Sequence, residues 1–196
     1  MAIEEKYVEK VGENKQDVML KAMDEFGVDA HYTPVSDNGI DLIDYEVMTP
    51  SDLTVGEKYI GKPQLTDVIS EEDKYTGELK HRVELVLIDN DAGEAYLCKV
   101  NINPKYLQDD GVTCKDVHPQ SGVYKLVMAL MELQAPGISQ YYNTLDVVNL
   151  KNVQRKVATF ENMIIKIIED SFTDEETDKK KSYNTFMIVG GELAEQ

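Results

Sequence analysis

The chain has 196 residues, 42% of them hydrophobic and 29% charged, with a formal net charge of -17. Such a composition folds, with room for one substantial domain plus an appendage. The charge argues against broad, unscreened contact with nucleic acid or an anionic membrane, because that contact relies on lysine and arginine replacing counterions.

The charge is unevenly placed: residues 1–52 hold 13 Asp/Glu and 4 Lys/Arg, net -9, and residues 53–196 hold the other 24 and 16, net -8. Two cysteines, Cys98 and Cys114, make neither a disulfide framework nor a zinc pattern. Met1–Lys6 lacks the basic start and apolar run of a secretory signal, and no apolar stretch approaches the roughly 20 residues of a membrane span. The expectation is a cytoplasmic protein without a membrane partner.

In chain order, Asn14 caps a predicted amphipathic helix over 15–26, with Val18, Met19, Ala22, Met23 and Phe26 on one face and Gly27 as its stop. A linker containing Pro34 and Asp37-Asn38-Gly39 leads to a predicted extended run over 40–48, and Thr49-Pro50-Ser51-Asp52 breaks the chain. Residues 1–52 thus read as an acidic N-terminal appendage and residues 53–196 as the main domain.

Beyond that break the pattern has period two, the mark of strands with one buried face. A long strand is predicted from Lys58 to Ile69, with Gly61 and Pro63 as bulge or corner positions, and a polar loop from Ser70 to Glu78 follows it. His81–Ile88 and Glu94–Ile102 form a predicted hairpin around Asp89-Asn90-Asp91-Ala92-Gly93, whose residues tolerate positive backbone angles. Val83, Leu85 and Leu87 share one face with Tyr96, Cys98, Val100 and Ile102. Ser121 then caps a helix whose apolar positions run from Val123 to Met131, ended by Pro136-Gly137. Ile138–Arg155 reads as loop with short regular pieces. Glu161–Phe172, rich in isoleucine, is a predicted strand, Thr173–Lys181 a charged loop, and Ser182–Val189 its partner strand.

The fold class is therefore mainly β with α, in the order β-β-β-α-β-β, with an N-terminal amphipathic helix and extended segment. That order resembles the OB-fold single-stranded nucleic-acid-binding proteins, in which five strands close a barrel and the helix joins the third strand to the fourth. The resemblance is one of architecture and implies binding across the second and third strands, between the loops 70–79 and 173–181. Single-strand binders need cations that follow phosphates and flat side chains on which bases rest. The candidates are Lys74, Tyr75 and Lys80 in and beside the first loop, Arg82 and Lys99 on the hairpin, Lys166 on the fourth strand, and Lys179, Lys180, Lys181 and Tyr183 at the second loop. Each lysine or arginine has a plainer reading as a solubilising charge, and Tyr96 falls in phase with the core.

Catalytic chemistry is absent from the sequence. His31, His81 and His118 lie in no nucleophile or metal motif, Cys114 and His118 alone do not make a zinc site, Asp89, Asp91 and Glu94 lack the spacing of a calcium loop, and neither a P-loop nor a GxGxxG fingerprint occurs. The expectation is a protein that is not an enzyme and takes no cofactor or metal: a single-stranded DNA-binding protein of a replication, repair or mobile-element type. The alternative is an assembly module on the same barrel that offers its acidic N-terminal region to a basic protein partner.

Overall fold

The computed structural model describes residues 40–174 and 177–195, so the helix expected over 15–26 lies outside the described residues. The elements are β1 (Glu46–Met48), β2 (Lys58–Leu65), β3 (Ile69–Glu72), β4 (Leu79–Asp89), β5 (Glu94–Ile102), β6 (Thr113–Val117), α1 (Gly122–Gln134), β7 (Leu145–Asn149), α2 (Leu150–Val157), β8 (Phe160–Asp174) and β9 (Lys179–Leu193). Short 3-10 turns occupy Pro50–Asp52 and Ile138–Tyr141. No helix among the described residues is long and apolar enough to cross a membrane.

The strands foreseen as the five of a barrel are β2, β4, β5, β8 and β9. They lie side by side in the order β5-β4-β2-β8-β9, each neighbouring pair antiparallel. This sheet is curled into a half-barrel. No ladder joins β5 to β9 among the described residues, so the expected closed barrel is not completed by hydrogen bonds. The central strand β2 holds the two halves together, pairing with β8 through Lys58–Gly61 and with β4 through Lys62–Leu65. Gly61 stands at the change of partner, where a side-chain Cβ would come within 2.9 Å of the Ile88 backbone. The corner expected at Gly61 is thus a point of backbone contact that only a glycine permits.

Several boundaries differ from the sequence reading. The strand expected over 58–69 is two pieces, because the register along β4 slips by one residue between Leu65↔Leu85 and Ile69↔Arg82. The supposed loop from Ser70 is in part β3, which pairs with the start of β4. The charged loop 173–181 is largely ladder, with Thr173↔Lys180 and Asp174↔Lys179 in register. β-Strand pairing between neighbours outweighs the polarity of these residues where the turns are tight. Of the run expected to be extended over 40–48, only Glu46–Met48 is strand, laid parallel on Glu94–Tyr96. A second pair, β6 with β7, was hidden in segments read as loop.

The predicted hairpin holds, from Asp89↔Glu94 to His81↔Ile102. Its turn is fixed by Asp89, whose Oδ1 accepts from the amides of Asp91 and Ala92 at 3.0 Å each, and by Gly93 at a φ of 70°. α1 begins as expected at Ser121, whose hydroxyl accepts from the Tyr124 amide at 3.1 Å. Its buried residues Val123, Leu126, Val127, Leu130 and Met131 fill the hollow of the sheet against Leu85, Leu87, Cys98, Val100, Met163, Ile165 and Ile167. α2 adds Leu150, Val153 and Val157, and Asn149 caps it by accepting from the Lys151 amide at 3.0 Å. Each fully buried Leu or Ile here is worth about 1.5–3 kcal/mol. Tyr96 is buried as expected, its ring 5.1 Å from that of Tyr59 and its hydroxyl donating to Glu94 at 2.6 Å.

On the convex side, Ile40, Leu42 and Tyr45 cover a smaller apolar cluster of Val86, Ile88 and Ala95. The chain then runs from β1 through the turn at Pro50–Asp52, where Asp52 accepts from the Thr49 amide at 2.8 Å, to Leu53 in the main core.

Two consequences follow. Gly61→Ala forces β2 from β4 and costs about 1–3 kcal/mol of overpacking, read as a lower urea midpoint; an unchanged midpoint would contradict the contact with Ile88. Burial pushes the Cys98 thiol up to about 12 and, with the Asp110 charge as a smaller cause, the Cys114 thiol up to about 12. Since the thiolate is the reactive form, iodoacetamide at about pH 8 should leave both cysteines unlabelled in the native protein and label both in urea.

Candidate functional site

Where a closed barrel would pair its outer strands, a groove of about 1430 Å³ opens between Leu97–Ile102 of β5 and Tyr183–Ile188 of β9. Both edges run in the same direction, since three successive antiparallel pairs and a fourth separate them. α1 forms the floor, with Ser121, Gly122, Tyr124, Lys125, Met128 and Ala129 lining it. The helix sits close to β5: a Cβ on Gly122 would stand 3.0 Å from Val100 Cγ1. Thr49, Pro50 and Ser51 cross one part of the opening, and the Leu53 carbonyl accepts from Asn184 Nδ2 of β9 at 3.5 Å.

The charge of this groove is opposite to that of the chain. Among the described residues, Lys99, Lys105 and Lys125 line it, all exposed, against a single carboxylate, Asp170. Tyr106, Tyr124, Tyr183 and Phe186 bring aromatic surface to the same walls. Lys105 Nζ lies 4.8 Å from the centre of the Tyr106 ring, within cation-π range. Tyr124 is held by donating to the Tyr142 carbonyl at 2.9 Å. The Tyr183 hydroxyl donates to Asp170 at 3.2 Å, and its ring is 6.0 Å from that of Phe172. Partial burial, and then the Asp170 charge, push the Tyr183 phenol above its ordinary value, so the ring is neutral at physiological pH.

The expected site residues divide between this groove and elsewhere. Lys99 and Tyr183 meet in the groove as its two walls. Arg82 does share an outward face with Lys99, but its guanidinium bonds Glu84 at 2.8 Å and Glu71 as well, and Glu84 above all holds it charged. Lys80 is paired with Asp73, whose carboxyl is held well below the usual carboxylate range by Lys80 and by the amides of Thr76 and Tyr75. Lys74 and Tyr75 are exposed in the adjoining turn, Tyr75 at 98%. Lys181 bonds Asp174. Lys179 and Lys180 continue the same strand, opposite Asp174 and Thr173. Lys166 lies on the outer face of β8, directly opposite Lys58 of β2 and Met187 of β9.

The second and third barrel strands, β4 and β5, therefore do not present the open face foreseen for them. Ile40, Leu42 and Tyr45 cover its apolar part, and two carboxylates hold its arginine. What the sequence reading missed are Lys105, Tyr106, Tyr124 and Lys125. The Lys105-Tyr106 and Tyr124-Lys125 dipeptides repeat the cation-plus-ring chemistry sought at Lys74-Tyr75, but only the position of α1 under the opening puts them in one place.

In the groove the His118 ring accepts from the Gln120 amide and the Ser121 hydroxyl from the Tyr124 amide, and no group of three or more His, Cys, Asp or Glu able to hold a metal ion occurs among the described residues. No protein-family model, no curated protein and no solved structure matches the chain.

Proposed function

We propose that this protein binds single-stranded DNA without catalysis, in the groove between β5 and β9, on the reading that the half-barrel is an OB-type barrel left open along that line. The observation that carries the proposal is local charge reversal. In a chain of net charge -17, a groove whose described lining holds three lysines and one carboxylate is, among the described residues, a surface on which a polyanion is little repelled.

The groove also has the form of a single-strand site. It is long and open, and Tyr106, Tyr183 and Phe186 offer rings beside the lysines, the pairing of phosphate contact with base stacking that sequence-tolerant binders use. A duplex carries its bases stacked inward and gains nothing from those rings, so the preference is for single strands. The acidic remainder of the surface keeps non-specific binding weak, and the three lysine contacts make the affinity fall with salt, with a slope of about 2.

Fluorescence anisotropy with labelled oligo-dT, from low to moderate salt, tests this. Binding is expected at low salt and should weaken as salt rises. The Lys99→Ala/Lys125→Ala double variant should lose about tenfold or more in affinity, with a salt slope shallower by about 1.4 for two lost phosphate contacts on a single strand. Absence of binding by the wild-type protein at low salt would remove the proposal in favour of the alternative, an assembly module that offers its acidic N-terminal region to a basic protein partner.

A further inference from the structure

Outside the groove, the outer face of β2, β8 and β9 carries an arrangement that folding alone does not favour. Lys58 and Lys166 are directly opposed cross-strand partners, with Ile60 opposite Ile164 in the next outward row. No carboxylate among the described residues forms an ion pair with either lysine. Like charges directly opposite each other weaken a sheet, and this chain has 37 carboxylates from which a complementary partner could have been drawn.

The same face concentrates exposed apolar side chains. Ile60 is 47% exposed, Met187 46%, Phe172 50% and Tyr183 46%. The β8–β9 register places them together, with Lys166 opposite Met187, Asp170 opposite Tyr183 and Phe172 opposite Lys181, on alternate residues that share one side of the sheet. A contiguous apolar patch rimmed by charge marks a contact surface. Tyr183 and Met187 also line the groove, so patch and groove are continuous.

We infer that this face is a second stretch of the single-strand path: Lys58 and Lys166 together hold phosphate, and the Phe172–Tyr183 pair carries bases leaving the groove. The inference rests on the nucleic-acid reading of the groove and extends it to a ligand longer than the groove holds. From Lys166 to Phe172 the strand runs about 20 Å. An anion between the two lysines removes their repulsion, and flat bases cover the exposed rings. A second copy of the same face would bring two more lysines to the pair and deepen the repulsion, so self-association is disfavoured.

The test is the Lys58→Gln/Lys166→Gln variant, assayed with oligo-dT of about 6 nucleotides, short enough for the groove, and of about 20 nucleotides, within the range of single-strand site sizes and beyond. The short oligonucleotide should bind the variant within twofold of wild type. The long one should lose about tenfold, with a salt slope shallower by about 1.4. Without nucleic acid the melting temperature should rise by about 1–3 °C as the repulsion is relieved. Phe172→Ala, at an exposed position, should separately weaken the long oligonucleotide about tenfold and leave the short one unchanged.

If wild type binds neither oligonucleotide, the function proposed for the groove fails. If it binds both and the lysine variant keeps the wild-type affinity and slope for the long one, the groove reading stands and this inference is overturned. A lower melting temperature in the lysine variant, or a drop in solution mass on Phe172→Ala without nucleic acid, overturns it as well, the first by making the lysines structural and the second by assigning the face to a second copy.

Discussion

Everything in the described structure depends on β2 serving two partners in succession. Lys58–Gly61 pair with β8 and Lys62–Leu65 with β4, so eight residues join the β4–β5 hairpin to the β8–β9 hairpin. A strand shared in this way must bend between its partners, and the bend is possible because Gly61 lets its backbone rest against that of Ile88. The curl that results gives the sheet a hollow side, and the inward residues of all five strands turn to a common centre. Alternation along each strand supplies the apolar surface and the bend at β2 decides that it converges.

The same curl leaves a consequence at the far edges. It carries β5 and β9 toward each other without bringing them into hydrogen-bonding register, and α1 lies beneath the opening. Sheet edges are usually guarded against pairing with another chain. Here β5 is partly covered by β1, and β9 is interrupted by a register shift near Gly190, while the intervening length of both edges borders the groove. The helix that fills the core also supplies Tyr124 and Lys125 to the groove floor, so the core and the groove share one element.

Electrostatics separates the cations held beside a carboxylate from those that border the groove. Arg82, Lys80 and Lys181 each stand beside a carboxylate. Exposed pairs of this kind contribute little to stability, but they cancel the field a polyanion would meet. Lys99, Lys105 and Lys125 border the groove, where Asp170 is the one acid among the described residues and is engaged by the Tyr183 hydroxyl. A net charge of -17 therefore says little about the groove itself. The distribution of charge over the folded surface, which composition averages away, determines where an anion is attracted.

The sequence by itself determined the local elements whose pattern is short-range: the Asp89–Gly93 turn, the alternation along His81–Ile88 and Glu94–Ile102, the Ser121 cap with its helical apolar stripe, and the isoleucine-rich strand near Glu161–Phe172. Of the residues that line the groove it singled out Lys99, from its phase on the hairpin, and Tyr183, from its place beside the second framing loop. Tertiary structure alone decided that the barrel stops short of closure, that residues 40–45 cover the face expected to be open, and that Lys105, Tyr106, Tyr124 and Lys125 assemble around the gap. The physical reason is that period and capping act over a few residues, whereas the meeting of β5 with β9 depends on how far the bend at Gly61 turns the whole sheet.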